Sequence, residues 1–166
     1  MSRSLAQEIP NIIDIEASGF GSKSYPIEVG LAMADKTTHC FVIKPADQWT
    51  YWDESAESLH GISRQLLLQK GQPIEEVSSK LNQLLSGQLI YTDAWSYDLC
   101  WLGKLFDLAE TPQTFRLESL RKLLTDKEAA RWHLAKQAVI NEFNLSRHRA
   151  SSDAFILRET YLRIKQ

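Results

Sequence analysis

The feature that most constrains the fold is a change of hydrophobic period along the chain. Three short apolar segments come first, and longer segments with helical spacing then alternate with short apolar runs. The early segments are predicted to be strands at 11–16, 26–34 and 38–44, and the turn signal at 34–37 makes the last two an antiparallel hairpin. A three-strand unit followed by alternating helices and strands is typical of an α/β fold, with a mixed sheet and helices on both faces.

The rest of the chain supplies the helices and the remaining strands of this sheet. Helices are predicted over 63–69, 73–85, 96–109, 125–143 and 151–165, and short strands over 88–92 and 115–117. The fourth of these helices opens with a capping-box signature, Thr125 followed by Glu128 three residues later. Segment 45–62 is aromatic and shows no period, so we expect it to be irregular.

Length and charge restrict the class of protein. A chain of 166 residues suits one domain, here 1–166 with a core of about 10–163. No apolar run approaches the roughly 20 residues that span a bilayer, and residues 1–8 lack a signal-peptide stretch. We therefore expect a cytoplasmic protein without a membrane partner.

The net charge of the chain is −2. This charge argues against a protein that coats nucleic acid, but not against an enzyme that binds one strand end.

The two cysteines, Cys40 and Cys100, sit among apolar neighbours. This setting favours two buried free thiols. A disulfide or a metal-binding pair is the alternative.

Two acids in the first strand are the first candidates for chemistry. Side chains alternate along a strand, so Asp14 and Glu16 share one face while Ile13 and Ile15 share the other. Two poorly solvated carboxylates on one face repel each other, and a divalent cation removes that cost. The alternative is a strand end whose acids are simply solvated.

Three further candidates lie later in the chain. Asp98 falls beside the apolar face of the helix at 96–109, where it points into a cleft unless Asp93 or Asp98 caps that helix. Asp153 falls in the first turn of the last helix, a position that the helix dipole alone would favour. His148 lies just before that helix, on a loop, where most histidines are merely exposed.

Taken together and in this order, the three pieces resemble the DEDDh family of 3′→5′ exonucleases, which includes ribonuclease T, oligoribonuclease and the proofreading subunit of bacterial DNA polymerase III. The resemblance extends from about Asn11 to Tyr161. The segments that carry it are Asp14-Ile15-Glu16-Ala17-Ser18-Gly19, Ile27-Glu28-Val29-Gly30, Leu59-His60-Gly61-Ile62, Tyr97-Asp98-x-x-Trp101-Leu102 and His148-x-Ala150-x-x-Asp153.

The middle motif departs from the family pattern. Many members carry His-Asn-x-x-Phe-Asp, whereas this chain has Asp93-Ala94-Trp95-Ser96-Tyr97-Asp98. The acid is retained, so the change affects the substrate subclass more than catalysis.

The resemblance implies a ribonuclease-H-like fold with a mixed five-stranded sheet, and an enzyme that removes 5′-mononucleotides from the 3′ end of single-stranded or frayed DNA or RNA. Two divalent ions, Mg²⁺ or Mn²⁺, would be held by Asp14, Glu16, Asp98 and Asp153, with Asp14 bridging them. His148 would be the general base. By analogy with ribonuclease T and oligoribonuclease, the protein would be a homodimer.

Substrate contacts are also implied. The candidates for binding the terminal nucleotide are Ser18, Gly19, Trp52, His60 and Tyr97. Trp49 and Tyr51 join Trp52 as candidates for stacking on a base, with packing against the sheet edge as the alternative. The segment Leu59-His60-Gly61 is a further candidate surface on which the terminal nucleotide would stack or be wedged. The candidate phosphate partners are Lys104, Arg116, Arg147 and Arg149. The rival functions are a catalytically silent nucleic-acid-binding module of the same fold and a phosphodiesterase acting on small nucleotides.

Overall fold

The computed structural model describes residues 8–166. Residues 1–7 lie outside the described residues, and with them the start of the predicted domain and most of the segment expected to lack a signal peptide. Five strands form one sheet: β1 (Asn11–Ala17), β2 (Pro26–Ala32), β3 (Thr38–Val42), β4 (Leu89–Thr92) and β5 (Arg116–Ser119). Their order is β3-β2-β1-β4-β5. The β1–β2 and β2–β3 pairs are antiparallel, and the β1–β4 and β4–β5 pairs are parallel. This confirms the predicted mixed five-stranded sheet.

Six α-helices and one 3₁₀ turn at Leu120–Leu123 connect and cover the strands of the described chain. The helices are α1 (Glu54–His60), α2 (Arg64–Lys70), α3 (Ile74–Leu85), α4 (Trp95–Leu108), α5 (Asp126–Phe143) and α6 (Ala150–Lys165). The capping box at the start of α5 is present as predicted.

The expectation that 45–62 is irregular throughout is wrong, because α1 lies within it. Asp53 caps the helix by accepting a 2.8 Å hydrogen bond from the Ser55 backbone N–H, and Gly61 ends it with φ +70°. An Asp cap and a left-handed glycine fix both ends of a seven-residue helix without any apolar period.

Helices cover both faces of the sheet. On one face, β1 presents Ile13, Ile15 and Ala17 to a core shared with α3 and α4. On the other face, Ile12 packs with residues of α6, and α5 lies against α6. Because side chains alternate along β1, this strand contributes to a separate core on each face of the sheet.

The start of α6 lies directly against the sheet at Gly30 of β2. A Cβ atom at this position would lie 2.1 Å from the carbonyl carbon of Ala150 and 2.2 Å from the nitrogen of Ser151. Only glycine leaves room for this contact. The motif glycine is thus explained by the close approach of a helix whose first turn carries Asp153.

The prediction of buried cysteines is wrong, although both thiols are free as expected. Cys40 lies on the edge strand β3, and Cys100 lies on the outer side of α4, so both are exposed. Their neighbours Phe41 and Trp101 are buried instead, because successive residues of a strand or a helix point in different directions. Within residues 8–166, no helix has the length and apolar character needed to cross a bilayer.

Candidate active site

A cleft of about 310 Å³ opens at the carboxyl ends of the parallel strands β1 and β4. All five residues predicted to be catalytic line it: Asp14, Glu16, Asp98, His148 and Asp153. They come from β1, from the first turn of α4, and from the α5–α6 loop and the start of α6. Segments more than 130 residues apart in the chain therefore meet at one end of the sheet.

Asp14 and Glu16 point into the cleft from the same face of β1, opposite Gly30 and Glu28 of β2. Burial, helped by the carboxylates of Asp98 and Glu16, raises the pKa of Asp14 well above its usual range. Burial, followed by the charge of Asp153, raises the pKa of Glu16 to about 7. These acids are not a solvated strand end.

Asp98 is the most deeply buried acid of the cleft, with 1% of its surface exposed. Its Oδ2 accepts a hydrogen bond from the Thr92 hydroxyl. Burial outweighs that bond and raises the pKa of Asp98 to about 8. Neither Asp93 nor Asp98 caps α4: the cap position is Ala94, without a side-chain hydrogen bond.

His148 and Asp153 are held together by the backbone at the start of α6. His148 has φ +61°, and its backbone N–H donates to Asp153 Oδ2 at 3.1 Å. Asp153 Oδ1 accepts from Arg147 Nε at 3.0 Å. A ligand atom from each of Glu16, His148 and Asp153 lies within 4.8 Å of the others.

The donors in the cleft suit a hard divalent cation. Carboxylate oxygens are the preferred protein ligands of such ions. The raised pKa values of Asp14, Glu16 and Asp98 arise because several carboxylates share a poorly solvated space without enough positive charge. A bound cation would relieve that repulsion, so the residues present fit the implied metals.

A buried glutamate that sequence reasoning did not single out anchors the histidine segment. Glu28 of β2 is fully buried. It accepts from both Arg149 Nε, at 3.1–3.2 Å, and a terminal guanidinium nitrogen of Arg149, at 2.6 Å. It also accepts from the Ala150 backbone N–H at 2.6 Å. The signal in the sequence was an acid inside an otherwise apolar strand, Pro26–Ala32.

His60 lies at the end of α1, buried beneath the cleft that it lines. Its Nδ1 accepts from the Ile62 backbone N–H at 3.1 Å, so the neutral ring carries its proton on Nε2. Nε2 has no hydrogen-bond partner, and burial lowers the pKa of His60. Nε2 is itself fully buried, so the ring lines the cleft without presenting this N–H at the surface.

Gly19 and Tyr97 also line the cleft, whereas Ser18 and Trp52 do not. The Ser18 hydroxyl accepts from the Tyr25 backbone N–H at 3.1 Å and closes the β1–β2 loop. Gly19 lets that loop approach the 51–53 segment, because a Cβ there would lie 2.8 Å from Tyr51 and from Asp53. Trp52 lies edge-on to His60, at 6.0 Å between ring centroids.

Three exposed apolar side chains surround the mouth of the cleft: Phe20 (61% exposed), Leu59 (57%) and Tyr97 (52%). The rings of Phe20 and Tyr97 meet edge to face at 5.8 Å. Leu59 belongs to the segment 59–61 that the sequence indicated as a surface for the terminal nucleotide. Sequence analysis missed Phe20, and it also placed stacking on Trp49, Tyr51 and Trp52. Those three pack against a core cluster around Tyr25 and Ile27.

The basic residues divide into those at the cleft and those engaged elsewhere. Arg147 lines the cleft, and so does Lys136 of α5, which the sequence did not indicate. Arg149 binds Glu28. Lys104 donates to the backbone carbonyls of Ser22 and Ser24, and Arg116 lies on β5 outside the cleft.

The same fold occurs in solved structures of Exonuclease I. The zinc-bound E. coli Exonuclease I complex with single-stranded DNA matches with a TM-score of 0.71 and 14% identity, over 93% of this chain and 40% of that one. The E. coli Exonuclease I complex with a dA16 oligonucleotide gives 0.66 and 14%, over 89% and 38%. Exonuclease I from Methylocaldum szegediense gives 0.56 and 12%, over 73% and 29%.

The sequence itself matches no protein-family model and no curated protein. The chain spans between 29% and 40% of the three Exonuclease I chains. At 12–14% identity, this likeness concerns the fold. The chain has a ribonuclease-H-like α/β fold, with a mixed five-stranded sheet flanked by helices on both faces.

Proposed function

We propose that this protein is a metal-dependent 3′→5′ exonuclease that releases 5′-mononucleotides from a single-stranded or frayed end. One observation carries the proposal: four carboxylates and a histidine from three distant segments converge on one cleft of a nuclease-like fold. Their order along the chain is the order in which the DEDDh motifs occur.

Each of the five residues has a proposed role in catalysis. Asp14, Glu16, Asp98 and Asp153 would hold the divalent ions, Mg²⁺ or Mn²⁺. Such ions stabilise the attacking and leaving oxygens of an in-line phosphoryl displacement. His148 would take the proton of the attacking water, because histidine is the side chain that most often acts as a general base. Its backbone hydrogen bond to Asp153 ties the base to a ligand.

The cleft favours one unpaired nucleotide. Its volume of about 310 Å³ is at the small end of the range for ligand sites. Phe20, Leu59 and Tyr97 offer apolar surface on which bases can stack, and His60 lines the same cleft. Unpairing a duplex end costs a few kcal/mol, which a single strand avoids. Ser18 and Trp52 would act indirectly, by supporting the loop and His60.

Two other functions remain as rivals. A silent binding module would bind single strands without cutting them. A phosphodiesterase for small nucleotides would prefer a dinucleotide to an oligonucleotide. The repulsion among the cleft acids argues against the silent module, because binding alone has no use for carboxylates placed against a phosphate strand.

One assay distinguishes the three. Oligonucleotides of DNA and RNA, labelled separately at each end, are incubated with Mn²⁺ or Mg²⁺ as single strands and as blunt duplexes, next to a dinucleotide and a generic phosphodiester. We expect stepwise shortening from the 3′ end of the single strand, mononucleotide products, and no cleavage in excess chelator. Internal fragments, equal cleavage of the blunt duplex, or full activity in chelator would each contradict the proposal.

Variants connect the activity to the cleft. Asp14→Asn should abolish cleavage without loss of folding. His148→Ala should lower turnover roughly 10²–10⁴-fold, the usual contribution of a general base. Asp107→Asn and His39→Ala, which alter the same residue types outside the cleft, should behave like the unaltered protein. A His148→Ala variant within about threefold of that protein would show that its role is misassigned.

The domain limits 1–166, the homodimer and the cytoplasmic location stay predictions of this proposal. Sedimentation of the purified protein at several concentrations tests the homodimer.

A further inference from the structure

An acid-rich cleft presents a problem to a phosphate strand. Five carboxylates line it: Asp14, Glu16, Asp93, Asp98 and Asp153. Like charges repel, so the strand that enters needs positive charge besides that of any ions at its reacting end. In residues 8–166, two lysine or arginine side chains line the cleft, Lys136 of α5 and Arg147 of the α5–α6 loop.

Each of these cations is held by an acid of the cleft. Lys136 Nζ lies 3.1 Å from Asp93 Oδ2, and Arg147 Nε lies 3.0 Å from Asp153 Oδ1. All four side chains keep some contact with solvent. Partly exposed ion pairs of this kind add little to stability, typically about 0–1 kcal/mol. The pairs can therefore exchange partners at small cost.

The Arg147 pair conflicts with the proposed role of Asp153. A carboxylate that holds a divalent ion is a poorer partner for a guanidinium, because the ion and the guanidinium repel each other. When Asp153 serves as a ligand, Arg147 is left at the cleft wall with its donors uncommitted. A guanidinium there matches a phosphate in shape and charge.

The same two cations also border a second groove. This groove has a volume of about 250 Å³ and is lined by His133, Lys136, Gln137, Ile140 and Arg147. Because Lys136 and Arg147 line both spaces, they connect the cleft with a groove that runs beside α5.

We propose that Lys136 and Arg147 form a phosphate-binding subsite for the strand that leads away from the reacting end, with the groove beside α5 as its exit. The inference rests on the proposed function and names the side of the cleft along which the strand runs. In the absence of a strand, the two cations balance the charge of Asp93 and Asp153.

The test measures how strongly binding depends on salt. A fluorescein-labelled single-stranded oligonucleotide is titrated with the protein in Ca²⁺ at a series of salt concentrations, and its integrity is checked on a gel. For single strands, each phosphate neutralised contributes about 0.7 to the slope of log K against log salt. The double variant Lys136→Gln/Arg147→Gln should lower the slope by about 1.4.

A matched pair of ion-paired cations serves as the control. Lys122 pairs with Glu118 and Arg163 pairs with Glu142, and neither cation lines the cleft or the groove. The variant Lys122→Gln/Arg163→Gln loses the same charge and the same number of ion pairs. We expect it to keep the slope of the unaltered protein, as should the charge-conserving variant Lys136→Arg/Arg147→Lys.

The outcomes separate this inference from the proposed function. If the unaltered protein cuts single strands but the Lys136→Gln/Arg147→Gln slope matches that of the control, the subsite is wrong and the function stands. If the unaltered protein binds no single strand, both are overturned. A slope lowered in the double variant alone supports the subsite whether or not the strand is cut.

Discussion

Asp98 combines deep burial with a single hydrogen-bond donor, the Thr92 hydroxyl. Burial raises its pKa from the ordinary 3.8 of an aspartate to about 8. The folded protein therefore binds this proton more tightly than the unfolded chain does. The resulting stabilisation is complete below the unfolded value and is lost as the pH rises through about 8.

The loss of stabilisation with rising pH predicts how a variant of Asp98 behaves in the absence of metal. In excess chelator, Asp98→Asn removes the buried charge. The melting temperature of this variant minus that of the unaltered protein should therefore increase by about 3–10 °C from pH 5 to pH 9. Thermal melts followed by circular dichroism across this range measure the difference. Asp107→Asn, an exposed acid on the same helix, should show none. A flat difference for Asp98→Asn would place its pKa in the ordinary range.

At the scale of single residues, the sequence predicted the acids better than the aromatics. Asp14 and Glu16 follow from strand alternation, which is a local property. Distinguishing Phe20 from Trp49 and Trp52 needed tertiary information, because the sequence alone does not tell which aromatic side chains are buried. The structure packs the two tryptophans against the core and leaves Phe20 exposed.

At the scale of elements, the position of α6 decides whether the site exists. The helix carries Asp153 in its first turn and follows His148 directly. Two contacts fix its start on β2: the close approach at Gly30, and the bonds from Arg149 and Ala150 to Glu28. No pattern within a single segment can show such a pairing, since its partners lie 121 and 122 residues apart.

The contribution of Glu28 to stability and to turnover can be measured with one substitution. Glu28→Gln keeps an oxygen for the Ala150 N–H but places an NH₂ group and no charge against Arg149. Loss of a buried charged partner should lower the free energy of unfolding by roughly 2–4 kcal/mol. It should also lower turnover under conditions in which the variant is folded, because His148 and Asp153 lose their anchor. Urea titration and steady-state kinetics measure the two effects.

Glu118→Gln is the matched control for this variant. Glu118 also pairs with a cation, Lys122, but it lies at the surface. Its replacement should change the free energy of unfolding by less than about 1 kcal/mol. Equal effects of the two substitutions would mean that the contact of Glu28 with α6 has no special weight.

The elements themselves were largely predictable, and their failures have physical causes. Apolar periods and the Thr125 capping box gave the strands and the long helices within a few residues. Helix α1 was missed because Ala56 and Leu59 are its only apolar residues, which is too few to display a period. Its signals were the Asp53 cap and Gly61, which act at single positions.

At the scale of the whole molecule, the site joins the start of the described chain to its last helix. Loop closure over such distances must be completed before the contacts that reward it can form. The acids of β1 and Asp153 of α6 therefore meet only after the long segment between them has been brought back to the sheet. No fragment that lacks either end can carry the complete cleft.

The bond from the Ala150 amide to Glu28 has a consequence for hydrogen exchange. Amides in the first turn of a helix have no acceptor within the helix and normally exchange quickly as the end frays. The Ala150 amide is held by a buried carboxylate of β2, so it should exchange only when the sheet and α6 separate in global unfolding. NMR exchange should give this amide an opening free energy equal to that from urea titration, while the Lys127 amide in the first turn of α5 opens far more easily. An Ala150 amide that exchanges as fast as that of Lys127 would show that the start of α6 detaches from the sheet while the rest of the protein stays folded.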